Sequence, residues 1–147
     1  YMALYDLESP EVLDGDAYRA IGGENSSVWT KRVTRSVRSH YRMTGPQLYP
    51  GDRITERVEG RAKRLTAVIC RGMDEASLME RAAWQDAPDG LVRLYRNDAT
   101  PGDHLFLIEH AAAPAGTGAG LVTALEEMAP GGVLTVNQYV SYWRREL

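Results

Sequence analysis

Leu91-Val-Arg-Leu-Tyr-Arg96 and His104-Leu-Phe-Leu-Ile-Glu-His110 are two apolar stretches of strand length, joined by a loop, Asn97 to Asp103, that contains Pro101-Gly102. Two such runs around a Pro-Gly turn read as a β-hairpin. The rest of the C-terminal part arranges itself around this pair. Upstream, Arg64-Leu-Thr-Ala-Val-Ile-Cys70 is a short apolar run suited to a buried strand. Asp74 then caps a helix through about Asp86, with Ala76, Met79 and Ala83 on one face, and Ala87-Pro-Asp-Gly90 stops it. Downstream, Thr117 opens a helix through about Met128, with Leu121, Leu125 and Met128 on one face, and Pro130-Gly131-Gly132 ends it. Val133 to Tyr142 is the last strand. The order strand, helix, strand, strand, helix, strand is the split βαβ pattern. It predicts an α+β fold: a ferredoxin-like βαββαβ unit over residues 64–147 with an antiparallel sheet.

The strand His104–His110 is apolar on both faces, because Leu105 and Leu107 alternate with Phe106 and Ile108. Two helices on one face of a sheet cover one of these sets. The other set then needs a second sheet, supplied by a repeat in the same chain or by a second copy.

Residues 1–44 read as the C-terminal half of such a repeat. Met2-Ala-Leu-Tyr-Asp-Leu7 has the pattern of a strand. Ser9-Pro10 starts a helix with the stripe Leu13, Ala17, Ala20; Gly15 weakens its first turn and Gly22-Gly23 closes it. Val33 to Met43 has the length of a long strand. Tyr1–Glu8 can be laid over His104–Ala111, and Ser36–Tyr41 over Thr135–Val140. On this reading the first strand and helix of the repeat lie upstream of Tyr1 or in a partner chain, and residues 45–63, with Pro46, Pro50 and Gly51, are a linker.

Composition sets wide bounds. Of 147 residues, 44% are hydrophobic and 25% charged, the balance of a globular protein rather than a disordered one. The single cysteine, Cys70, excludes an internal disulfide and a cysteine metal site. No apolar run reaches membrane-spanning length and no signal stretch opens the chain, so the expectation is a cytoplasmic protein with no membrane partner. The net charge is −3, but residues 31–64 hold ten basic residues against three acidic ones, +7, and leave −10 to the rest. A net acidic chain is a poor general nucleic-acid binder. The basic segment reads as a solvated stretch or as a seat for an anionic molecule.

The segment Tyr1–Ile21, with Leu-Tyr-Asp-Leu-Glu-Ser-Pro-Glu-Val-Leu, and the βαββαβ order after Arg64 resemble the dimeric α+β barrel proteins, in particular the EthD-like and antibiotic-biosynthesis-monooxygenase-like groups and their tandem-repeat members. The resemblance covers most of the chain at the level of architecture. It implies two ferredoxin-like units packed sheet to sheet, helices outside, and an apolar cavity between. It further implies a small-molecule ligand, homo-oligomer formation and cofactor-free chemistry.

Candidate site residues come from the strands that would border such a cavity. His110, His40 and Tyr139 are the candidate proton carriers, since imidazole titrates near neutrality and a phenol can donate or accept a hydrogen bond. His104 shares the face of His110. Phe106, Asn137, Trp143 and Arg38 are the candidate substrate contacts: an aromatic wall and floor, an amide, and a cation for a carboxylate. Each also has a structural reading, as a strand-end histidine, a core aromatic or a solvated arginine. No metal is expected, because His104 and His110 are six residues apart on a strand, roughly 20 Å. Gly116-Thr-Gly-Ala-Gly120 has the wrong spacing for a dinucleotide loop. The two functional readings are a cofactor-free enzyme acting on a small aromatic or polyketide-like molecule (cyclase, isomerase, lyase or monooxygenase) and a non-catalytic ligand-binding or assembly protein of the same fold.

Overall fold

The computed structural model describes residues 2, 4, 5, 7–37, 40–51, 64–85, 90–110 and 119–140. Backbone contacts divide the chain into two units, Met2–Thr44 and Gly45–Leu147. The fold is α+β, with a five-stranded antiparallel sheet and four α-helices among the described residues.

In the unit Met2–Thr44, 3-10 turns at Pro10–Asp14 and Gly23–Asn25 accompany helices α1 (Asp16–Ile21) and α2 (Val28–Ser36). Gly15 separates the first turn from α1 and stands outside it as its N-cap, a position that accepts glycine, rather than inside its first turn. The described residues between 2 and 7 form no strand. The long strand expected at Val33–Met43 is also overturned: Val33 to Ser36 belong to α2. The reason lies upstream. The Ser27 hydroxyl accepts from the Thr30 amide at 3.1 Å and caps the helix, and the Thr34 and Ser36 hydroxyls bond back to the Thr30 and Val33 carbonyls. No residue of the two turns or two helices is buried. Trp29 of α2 is 71% exposed.

In the unit Gly45–Leu147 the sheet is built from β1 (Gln47–Tyr49), β2 (Arg64–Arg71), β3 (Gly90–Arg96), β4 (Asp103–His110) and β5 (Val133–Val140), in the order β1-β3-β4-β2-β5. Helix α3 (Glu75–Gln85) lies between β2 and β3 in sequence, and α4 (Ala119–Met128) between β4 and β5. β3 and β4 form the expected hairpin. Three residues of the stretch read as linker form β1, which pairs with β3; the Arg96 amide donates to the Pro46 carbonyl at 3.2 Å. Gly45 permits that approach, since a Cβ there would lie 2.1 Å from the Arg96 carbonyl oxygen.

Both helices pack on one face of the sheet. Val68 and Cys70 of β2, Val92 and Leu94 of β3 and Phe106 and Ile108 of β4 form one core with Leu78 and Ala82 of α3 and Leu121 and Leu125 of α4. The buried stripe of α3 is therefore Leu78 and Ala82, while Ala76, Met79 and Ala83 are exposed. Asp74 caps α3, accepting from the Ser77 amide at 2.9 Å; hydrogen bonds from the Ser77 side chain and backbone hold its carboxyl below the usual carboxylate range. Gly132 is buried against the start of α3's approach: a Cβ there would meet the Ala129 carbonyl at 2.8 Å and the Met73 methyl at 2.9 Å. None of the helices among the described residues is long and apolar enough to cross a membrane.

Candidate functional site

Successive side chains of a strand point to opposite faces, so the residues that alternate with the core set lie on the face away from the helices. In β4 these are Asp103, Leu105, Leu107 and Glu109; in β2, Leu65, Ala67, Ile69 and Arg71. The register places Thr135, Asn137 and Tyr139 of β5 beside Ile69, Ala67 and Leu65 on that same face. Its centre is apolar and buried: Leu107 is 0%, Ala67 5% and Leu105 8% exposed. Polar groups stand around this centre, with Tyr139 half-buried and Asn137 exposed.

Two ion pairs frame the same face. The Arg93 guanidinium donates to Glu109, both side chains being nearly buried. Arg71 grips Asp103 with two nitrogens, Nε to Oδ1 and Nη2 to Oδ2, the second at 3.0 Å; the aspartate is fully buried and the arginine half-exposed. A planar guanidinium holding a carboxylate in this way fixes both side chains. Sequence reading passed over these pairs, yet a signal was present: Arg93 interrupts the apolar run Leu91–Tyr95, and Glu109 directly follows the run Leu105–Ile108.

The residues proposed from the sequence are not gathered at one place. Tyr139 and Asn137 lie on the helix-free face. Phe106 lies on the opposite face, fully buried in the core under α3 and α4, so it is a packing residue rather than the wall of a cavity between sheets. His110 shares the face of Phe106, at the end of β4, paired in register with Arg64 of β2. Burial lowers the pKa of the His110 imidazole, and the Arg64 cation lowers it further, so the ring favours its neutral form. His40 is exposed and belongs to the unit Met2–Thr44. Arg38 and Trp143 lie outside the described residues.

His104 sits at the other end of β4, on the helix side, in register with Cys70 of β2 and Arg96 of β3. It is 2% exposed, and neither ring nitrogen has a hydrogen-bond partner among the described residues. Its Nε2 lies 3.6 Å from Glu75 Oε1, a carboxylate that also faces the Arg96 guanidinium at 3.5 Å. The Cys70 thiol beside it is pushed up to about 12 by burial and by the nearby Asp103 carboxylate. A thiol so held is neutral at physiological pH, hence inert as a nucleophile despite the histidine next to it. Among the described residues no group of three or more metal-ligating side chains forms a cation site.

One face thus has a buried apolar centre with hydrogen-bonding groups at its border, and the other carries two separated histidines. Comparison of the chain with protein-family models, with curated proteins and with solved structures finds no match.

Proposed function

We propose that residues 64–140 form a ferredoxin-like unit of the dimeric α+β barrel type, and that the helix-free face of its sheet holds a small, largely apolar molecule. The order of strands and helices, with both helices on one face, supports the fold assignment. One observation carries the functional reading. The face away from α3 and α4 has a buried apolar centre of Leu107, Leu105 and Ala67, bordered by the Asn137 amide and the Tyr139 hydroxyl. Ligand sites have this make-up: mostly apolar lining, with few polar groups to orient the guest.

Binding rather than proton-transfer catalysis is the better reading of the two. The enzyme hypothesis needs an acid and a base converging on one molecule, within hydrogen-bond reach of it. Tyr139 and His110 lie on opposite faces of the sheet and do not converge on one molecule. Of these two, Tyr139 alone belongs to the proposed binding face.

The test is a panel of small aromatic and polyketide-like compounds against the full chain, with affinity read by calorimetry. A compound that binds the wild-type protein should bind Asn137→Ala or Tyr139→Phe about tenfold more weakly, the worth of one or two hydrogen bonds at roughly 1 kcal/mol each. His110→Gln should leave affinity unchanged. Loss of binding in His110→Gln with none in the β5 variants would place the guest on the wrong face and end the proposal. Turnover of a bound compound, abolished in Tyr139→Phe with affinity retained, would restore the enzymatic reading.

A further inference from the structure

The strands of the sheet carry four arginines, Arg64 and Arg71 on β2 and Arg93 and Arg96 on β3. Three of them hold carboxylates: Arg71 holds Asp103, Arg93 holds Glu109, and Arg96 faces Asp98 and Glu75. Arg64 holds none among the described residues. Its hydrogen bond there runs from Nη1 to the side-chain oxygen of Gln138 at 3.0 Å. The Arg64 Nε is buried and has no hydrogen-bond partner among the described residues. Directly across from it on β4, in register, His110 has its Nε2 in the same condition. Residues opposite each other in an antiparallel pair point to one face, with Cβ atoms roughly 5 Å apart. Here it is the face that carries α3 and α4, and both side chains are half-buried.

We propose that Arg64 and His110 form a binding site for an oxyanion, the phosphate or carboxylate group of a small molecule, on the helix side of the sheet at its end. A buried donor without an acceptor is costly, and two of them side by side call for a shared partner. Arginine takes carboxylate and phosphate side-on, through two parallel N–H bonds. Arg71 shows the edge that does this, holding Asp103 by Nε and Nη2. In Arg64 the bond to Gln138 leaves from Nη1, so it anchors the guanidinium without using that edge. His110 supplies the second donor, a neutral imidazole with its proton on Nε2. A water molecule could bridge two such donors, but it would leave the arginine's charge without a counter-charge. That charge acts on its neighbour: burial, and then the Arg64 cation, hold the His110 imidazole below its ordinary pKa. An oxyanion has lone pairs for both donors and the charge that Arg64 lacks. This site lies on the opposite face of the sheet from Asn137 and Tyr139 and does not depend on the ligand reading made there.

Titration of the full chain with inorganic phosphate and with acetate tests the proposal, at an ionic strength held constant with sodium chloride. Calorimetry reads the affinity, and NMR follows the His110 imidazole, identified by its loss in His110→Phe. One or both anions should bind saturably and shift that resonance. A preference for phosphate over acetate, or the reverse, tells which oxyanion the site takes. Arg64→Gln and His110→Phe should each weaken binding about tenfold or more. Arg64→Lys, which keeps the charge and the strand position but lacks the planar fork, should weaken it less, and it serves if either of the others fails to fold. Arg19→Gln, at an arginine that is 68% exposed in the other unit, should change nothing. Titrations that neither anion saturates, affinities that Arg64→Gln and His110→Phe leave intact, or a loss in Arg19→Gln as large as theirs overturns the proposal.

Discussion

Phe106→Ala separates packing from binding at a residue that the sequence alone would put against a ligand. The side chain is fully buried among Val68, Leu78, Leu94, Leu121 and Leu125, from two neighbouring strands and both helices. Truncation removes the ring's transfer free energy, roughly 1.5–3 kcal/mol, and leaves a void that neighbours on three sides close only in part. The expected cost is about 3–5 kcal/mol. Set against a total of roughly 5–15 kcal/mol for a domain, this takes a large share of the fold's stability. With a urea slope of about 2 kcal/mol per molar, the unfolding midpoint should fall by about 2 M. Urea titration followed by circular dichroism measures the shift. Phe106→Leu, which keeps most of the volume, should lose much less. As the only phenylalanine of the chain, Phe106 can also be followed alone by fluorophenylalanine NMR, where it should give a single shielded resonance insensitive to added ligand. A midpoint shift below about 0.5 M in Phe106→Ala, together with loss of ligand binding, would refute the placement of this ring between sheet and helices.

Three more outcomes follow from charged and titrating groups. Asp103→Ala should cost about 2 kcal/mol, the value of charge-assisted hydrogen bonds, rather than the larger penalty of a stranded buried charge, because the 53%-exposed Arg71 left behind regains water; urea unfolding at neutral pH reads the difference. The Cys70 thiol keeps its proton in the folded protein up to about 12, whereas the unfolded chain releases it near the ordinary 9.0. Stability should therefore decline as pH rises from about 9 toward 12, and melting curves of Cys70→Ala should show a shallower alkaline decline. His110 is shifted the other way. Below the ordinary 6.5 the unfolded chain takes up a proton that the folded protein still refuses, so stability should fall as pH drops from there to the lower folded value and level off beneath it. His110→Gln should remove that part of the slope.

The hairpin was legible because both of its strands and its turn carry local signals: apolar runs on either side of Pro101-Gly102. Asp74 as a cap and Pro130-Gly131-Gly132 as a stop were legible for the same reason, and the helices α3 and α4 fall within them. The facing of α3 was not. Its sequence holds two rival stripes, Ala76/Met79/Ala83 and Leu78/Ala82, and the one that turns inward is decided by how the Gly72–Asp74 connection sets the helix down on the sheet. Gly72 adopts φ +76° there, a turn that no pattern of apolar residues reveals. β4 posed the same difficulty at the site. Phe106/Ile108 and Leu105/Leu107 are equally apolar, so alternation says that there are two sets without saying which one the helices cover. That single undetermined choice put Phe106 and His110 on the helix side of the sheet and Tyr139 and Asn137 on the face away from it. In the first unit, the length of Val33–Met43 suggested a strand, while the Ser27 cap and hydroxyl back-bonds held Val33 to Ser36 in a helix.

The central place of β2 has a bearing on how the protein is made. β2 is the earliest of the four long strands to leave the ribosome, yet its two neighbours are β4 and β5, and β5 is the last to appear. The β3–β4 hairpin closes over a short loop and can form as soon as it is synthesised. Arg64–Arg71 must wait, first for residues 103–110 and then for residues 133–140, before both of its sides are satisfied. Loop closure over such distances makes this pairing the slow part of folding. Until residue 140 has emerged, the nascent chain carries the apolar run Leu-Thr-Ala-Val-Ile-Cys as an open edge.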